Sequence, residues 1–103
     1  MNDSEFIRLT DTVFARIQQG LEEAGLDFEL PADGILEIEF DDGGKIVINR
    51  HSAAREIWVA ARSGGFHFRH DGSAWRDTRD NTELFDRLAT LVAAQGGGSV
   101  NFG

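Results

Sequence analysis

Phe6, Leu9, Val13, Ile17 and Leu21 recur at intervals of three and four residues, the spacing that lines one face of an α-helix. Ile7 and Phe14 widen that stripe, and the pattern predicts an amphipathic helix over residues 4–24. Asp3 or Ser4 can cap its start by accepting a hydrogen bond from a free backbone N–H, and Gly25 can end it in the left-handed conformation. The period then changes from about 3.6 to 2. Phe28 and Leu30 alternate with Asp27 and Glu29 up to Pro31, and Leu36, Ile38 and Phe40 alternate with Glu37 and Glu39. Asp41-Asp42-Gly43-Gly44 has the composition of a hairpin turn. A return strand follows over residues 45–50, with Ile46 and Ile48 on one face, and residues 51–54 form a loop. Ile57, Val59 and Ala61 alternate with Trp58, Ala60 and Arg62, Phe66 and Phe68 alternate with His67 and Arg69, and a short strand surrounds Trp75. Leu84, Leu88 and Leu91 then restore the helical period, widened by Phe85 and Val92, which predicts a second helix over residues 82–95. Asp80, Asn81 or Thr82 can cap it, and Gly96-Gly97-Gly98 ends it.

Helix, run of strands, helix is an α+β order, and 103 residues without a linker or repeat fit one domain over 1–103. One-sided alternation means that one face of the sheet is covered, so both helices belong on that face. Strand parity leaves Glu37, Glu39, Lys45, Val47, Asn49, Trp58, Arg62, His67 and Arg69 on the other. Trp58 stands out in this polar set. It serves either as a contact anchor, a role in which Trp is enriched, or lies under a loop or flat on Arg62 as a cation–π pair. Trp75 belongs instead to the core or the sheet edge.

Charge adds a location to this outline. The chain holds 18 Asp and Glu against 10 Lys and Arg, a net charge of −8. Twelve of the acids and only two basic residues, Arg8 and Arg16, fall within residues 1–42, so that part carries −10 and the remainder +2. Such a balance argues against nucleic acid and anionic membranes as partners and favours cations or basic proteins. No apolar run reaches the roughly 20 residues of a membrane span and no signal-peptide pattern opens the chain, so a cytoplasmic location is expected. With no cysteine there is no disulfide, thiolate metal site or cysteine nucleophile.

Motifs for catalysis are lacking. His51, His67 and His70 show no metal-ligand spacing, no serine occupies a strand–turn–helix elbow, and the glycine triplet follows a helix rather than opening one. Carboxylates are the chemical resource that remains. Asp11, Glu22 and Glu23 lie on or near the outer side of the first helix, and Asp27, Glu29, Glu37, Glu39, Asp41 and Asp42 on the strands that follow. Glu22 and Glu23 occupy a last helical turn, where the helix dipole disfavours negative charge by about 0.3–1 kcal/mol. Oxygen ligands of this kind suit hard hydrated cations, including iron, manganese, calcium and magnesium. Electrostatic docking on a basic protein patch is the alternative, and one surface can do both.

The segments 1–6 (Met-Asn-Asp-Ser-Glu-Phe), 45–50 (Lys-Ile-Val-Ile-Asn-Arg), 57–60 (Ile-Trp-Val-Ala) and 64–68 (Gly-Gly-Phe-His-Phe) resemble those of the bacterial frataxin family, and the likeness spans essentially the whole chain. The resemblance implies a two-layer sandwich, with N- and C-terminal helices on one face of an antiparallel sheet of five to six strands. It further implies an iron-binding, non-catalytic accessory or regulatory protein of iron–sulfur cluster assembly, monomeric and able to oligomerise in excess iron. In that family an acidic ridge on the first helix and strand binds ferrous and ferric iron weakly and docks on the cysteine desulfurase. The sheet Trp contacts the assembly machinery, including the scaffold protein. Carried over, the metal ridge comprises Asp11, Glu22, Glu23, Asp27, Glu29 and Asp41, and the partner surface Trp58, Asn49, Glu22 and Glu23. Gln18 and Gln19 stand where relatives often carry acids, Ile7 where some carry His, and the loop at His51 lacks the usual Gln and Pro. Two other readings stay open, a ferroxidase or iron store, and a metal-independent acidic adaptor.

Overall fold

The computed structural model describes every residue from Met1 to Gly103. Helix α1 (Asp3–Ala24) is followed by six strands, β1 (Asp27–Ala32), β2 (Ile35–Glu39), β3 (Lys45–His51), β4 (Glu56–Ala61), β5 (Gly64–His70) and β6 (Trp75–Asp77), and by helix α2 (Leu84–Ala94). The strands form one antiparallel sheet in sequential order, and both helices contribute to a core on one of its faces. Twenty buried apolar residues make that core, among them Phe6, Ile17 and Leu21 of α1, Leu36 to Phe68 on alternate strand positions, and Leu84, Leu88 and Val92 of α2. The α+β architecture read from the alternation is the one observed. No helix is long and apolar enough to cross a membrane.

Element ends differ from the expectation where side chains compete for the same role. Asn2, rather than Asp3 or Ser4, caps α1 by accepting from the Glu5 N–H at 2.8 Å. Gly25 ends the helix as expected, at φ +72°, with its N–H bonded to the Glu22 carbonyl. The cap of α2 is Glu83, whose carboxylate accepts from the N–H groups of Phe85 and Asp86, so Asp80, Asn81 and Thr82 lie outside that helix. Pro31 does not stop β1, which runs to Ala32 with a register shift between Glu29 and Ala32. An edge strand tolerates Pro because one side of its backbone has no neighbour. The shift turns Leu30 outward, 53% exposed, against the expectation from simple alternation. Trp75 is buried, edge-on to Phe6.

The last residues strap the helical layer. Val100 and Phe102 are buried, and the Arg16 guanidinium donates to the carbonyls of Phe102 and Gly103. Gly20 lies under the strap: a Cβ there would stand 2.6 Å from the Phe102 ring and 3.0 Å from the Asn101 carbonyl oxygen. Gly20→Ala gains helix propensity of about 1 kcal/mol, yet the overpacking costs about 1–3 kcal/mol. Net destabilisation in urea unfolding is expected, and net stabilisation would show that the strap yields freely.

Asp80 links the β6–α2 connection to the fold. Hydrogen bonds from the Arg87 guanidinium and then the Thr82 N–H lower its pKa to about 2. A carboxyl depressed in the folded state stabilises above its unfolded value, near 3.9, and loses that contribution as pH falls through the folded value. Stability should therefore fall between about pH 4 and pH 2, and Asp80→Asn should flatten that part of the profile in pH-dependent denaturant unfolding.

Candidate functional site: a carboxylate edge and an open sheet face

The register of β1 on β2 sets Asp27 opposite Glu39 and Glu29 opposite Glu37. Phe28 and Ile38, between them, face the core side, so all four carboxylates share the open face. Like charges placed directly across a ladder oppose folding, by about 0.2–1 kcal/mol a pair. Lys45 partly relieves this, its Nζ 3.4 Å from Glu37. One turn away along the chain, Glu22 and Glu23 stand exposed in the last turn of α1, which has no basic residue. Gln19 donates to Glu23 at 3.2 Å, a contact that leaves its charge in place. Asp41 is exposed in the β2–β3 turn. Its neighbour Asp42 is engaged, bonded to Arg62 at 2.7 Å and to the Gly44 N–H at 2.8 Å, with its pKa lowered by the Arg62 contact first and the Gly44 bond second.

Ion pairing sorts the acids of the whole chain. Nine of the 18 carboxylates have a cationic partner within 4 Å, among them Asp3, Asp33, Asp71, Asp77 and Asp80. The unpaired nine are Glu5, Glu22, Glu23, Asp27, Glu29, Glu39, Asp41, Glu83 and Asp86. Glu5, Glu83 and Asp86 sit at helix N-termini, where the dipole stabilises them. The other six all fall between residues 22 and 41, and five of them are ridge residues expected from the sequence. Asp11 is the exception: it is bound by Arg50. Glu39 joins the set through the register. The surface is open, and nowhere in the chain do three His, Asp or Glu side chains converge to hold a metal ion. Such a surface can concentrate hydrated cations or meet a basic patch, and it holds either loosely.

Of the partner residues expected from the sequence, Trp58 and Asn49 meet on the middle of the same face, whereas Glu22 and Glu23 stand in the last turn of α1. Asn49 lies opposite Trp58, and Trp58 opposite His67. The indole is not stacked on Arg62. It is held between two imidazoles, His51 at 3.8 Å and His67 at 4.4 Å between centroids, both stacked nearly parallel to it. Glu56 fixes the stack from below. Though buried, it accepts from the indole N–H at 2.9 Å and from Arg69 at 2.7 Å. His51 and Glu56 are site residues that sequence reasoning passed over. Parity would have placed His51 with Trp58 had the strand been carried one residue further, whereas nothing local marks Glu56 as buried.

A two-layer α+β protein with helices on one face of a sequential antiparallel sheet, an unneutralised carboxylate edge and an indole on the open face is thus defined. Its residues 1–98 match the frataxin-like domain. The chain belongs to the frataxin family. It is 59% identical to the iron-sulfur cluster assembly protein CyaY of Dechloromonas aromatica, over 97% of each chain, and 45% identical to CyaY of Chromobacterium violaceum, over 99% of this chain and 98% of that one. Among solved structures, the frataxin of Psychromonas ingrahamii superposes with a TM-score of 0.93 at 31% identity, over 100% of this chain and 99% of its own. A trimeric frataxin of Saccharomyces cerevisiae complexed with ferrous iron gives 0.67 at 26% identity, over 92% of this chain and 86% of its own.

Removing the buried acid tests the stack. Glu56→Ala leaves the indole N–H and Arg69 without their partner, at a cost of about 1–3 kcal/mol. Trp58 should become more mobile, seen as lower fluorescence anisotropy in a Trp75→Phe background. Unchanged anisotropy would mean that the imidazoles alone hold the ring.

Proposed function

We propose that this chain is an iron-binding accessory protein of iron–sulfur cluster assembly. Its unpaired carboxylates between residues 22 and 41 gather ferrous or ferric iron and dock on the basic patch of a cysteine desulfurase. Trp58 and Asn49 contact the assembly complex, scaffold protein included, from the open face. Iron is cargo on this reading, held by oxygen ligands alone and readily released. The protein is a non-catalytic cytoplasmic monomer that oligomerises when iron is in excess. The observation that carries the reading is the clustering of unpaired acids, because a charge set without internal partners gains most from an external cation. Family membership supports it, as do the assembly role in the names of the bacterial relatives and the ferrous iron of the yeast protein.

The open geometry also suits an acidic adaptor that binds a basic partner without metal. One titration separates the two. Amide NMR shifts and broadening are followed as ferrous iron, and then the desulfurase, is added under argon. Both additions should perturb residues 22–41, and Glu22→Lys with Glu23→Lys should weaken desulfurase binding on the order of tenfold, or about 1.4 kcal/mol. Response to the desulfurase alone would select the adaptor. Perturbation scattered over the chain would overturn both, and in a separate aerobic assay oxygen-dependent turnover of iron, abolished with the ridge acids, would select a ferroxidase.

A further inference from the structure

Asp11 differs from the other ridge residues in having an internal cation, and that cation is unusually placed. The Arg50 side chain is only 7% exposed, while its partners Asp11 and Asp33 are 63% and 97% exposed. Arg50 leaves β3 on the core side, opposite Ile57, and runs beneath α1. One terminal nitrogen, Nη2, bonds Asp11 of α1, and the other, Nη1, lies 3.4 Å from Asp33 in the β1–β2 turn. Its Nε donates at 2.7 Å to the hydroxyl of Thr10. That hydroxyl is itself buried, and its single proton is shared between the carbonyls of Phe6 and Ile7, at 2.9 and 3.0 Å, while its oxygen accepts from Arg50. Gly34 leaves room for the stem: its carbonyl accepts the Arg50 N–H at 2.8 Å, and a Cβ there would stand 3.1 Å from the Arg50 Cβ. Three elements thus converge on one guanidinium.

We infer that Arg50 is a resident cation that withdraws Asp11 and Asp33 from ion binding and sets the boundary of the ridge. The inference rests on the iron reading above and narrows it. A metal ion taking Asp11 would leave a buried guanidinium short of its counter-charge, which opposes binding. A metal ion at Glu22, Glu23, Asp27 or Glu29 displaces no cation and relieves repulsion. The two regions therefore respond to the same ion with opposite sign. They are also separable, since Asp11 and Glu22 lie eleven residues apart on one helix, about 16 Å along its axis.

Paramagnetic broadening by sub-stoichiometric manganese chloride reads the boundary. In the natural chain, broadening should centre on Glu22, Glu23, Asp27 and Glu29 and fade toward Asp11 and Asp33. Arg50→Gln should add a second centre at Asp11 and Asp33. Broadening of Asp11 in the natural chain as strong as that of Glu23 would overturn the inference, as would Arg50→Gln without the second centre. Broadening nowhere in the natural chain would instead sink the metal reading. Arg50→Gln then still decides the present one. Should that variant fail to fold, Asp11→Asn gives the answer: manganese affinity should change less than twofold, whereas a loss equal to that of Glu23→Gln refutes the role of Arg50.

Discussion

A six-stranded sheet covered on one face only is the constraint on which the rest of this molecule depends. Leu36, Ile38, Ile46, Ile48, Ile57, Val59 and Phe68 must all point toward the helices, where they are buried. A strand has period 2, so that requirement dictates what points the other way. Asp27, Glu29, Glu37, Glu39, Asn49, Trp58 and His67 are on the open face because their neighbours are in the core. The core therefore does more than hold the protein together. It presses four carboxylates into two facing pairs and lines an indole up between two imidazoles, neither of which local preference would produce.

The charge pattern follows from where cations are available. Arginines of β3 to β6 and α2 find carboxylates nearby, as in Arg62 with Asp42, Arg69 with Glu56 and Arg87 with Asp80. Around the end of α1 and the facing strands β1 and β2, only Lys45 reaches an acid, at Glu37, and Arg50 reaches Asp33 in the turn between those strands. A net charge of −8 thus resolves into a neutralised part and an unneutralised edge. Surface ion pairs contribute little to stability, with a typical value of about 0–1 kcal/mol. The sorting of charge matters here for what the edge attracts, and only weakly for the fold.

Both helices, the strands and the hairpin at Asp41 could be read from the chain because their signals are local: period, turn composition, and a Gly at the left-handed cap. The ridge positions could be read too, since Glu22, Glu23, Asp27, Glu29 and Asp41 lie close in sequence to one edge. Other features depended on contacts between distant residues. Leu30 turns outward because of a register shift beside Pro31. Val100 and Phe102 follow a glycine triplet and have no periodicity, so nothing announced their burial against α1. His51 begins a stretch whose composition reads as a loop, which hides its place beside Trp58. Arg50 and Asp11 are 39 residues apart, and their pairing appears only when β3 passes under α1.

That last pairing bears on how a loosely binding surface can still be specific in position. An array of exposed carboxylates has no cage to choose among cations, and by charge alone an ion would spread over every acid within reach. Limits must then come from where acids are already satisfied. Arg50 at Asp11, Arg62 at Asp42 and Lys45 at Glu37 border the unpaired set, and what they leave between them is a stretch centred on the α1–β1 turn. Arg50 differs from the other two in being buried. Arg62 and Lys45 can swing into solvent when a competing cation arrives, whereas moving Arg50 requires opening the contact of α1 with the sheet. One border is therefore fixed by the fold and the others by equilibrium, so the ridge should extend toward β2 and β3, and not up the helix, as cation concentration rises.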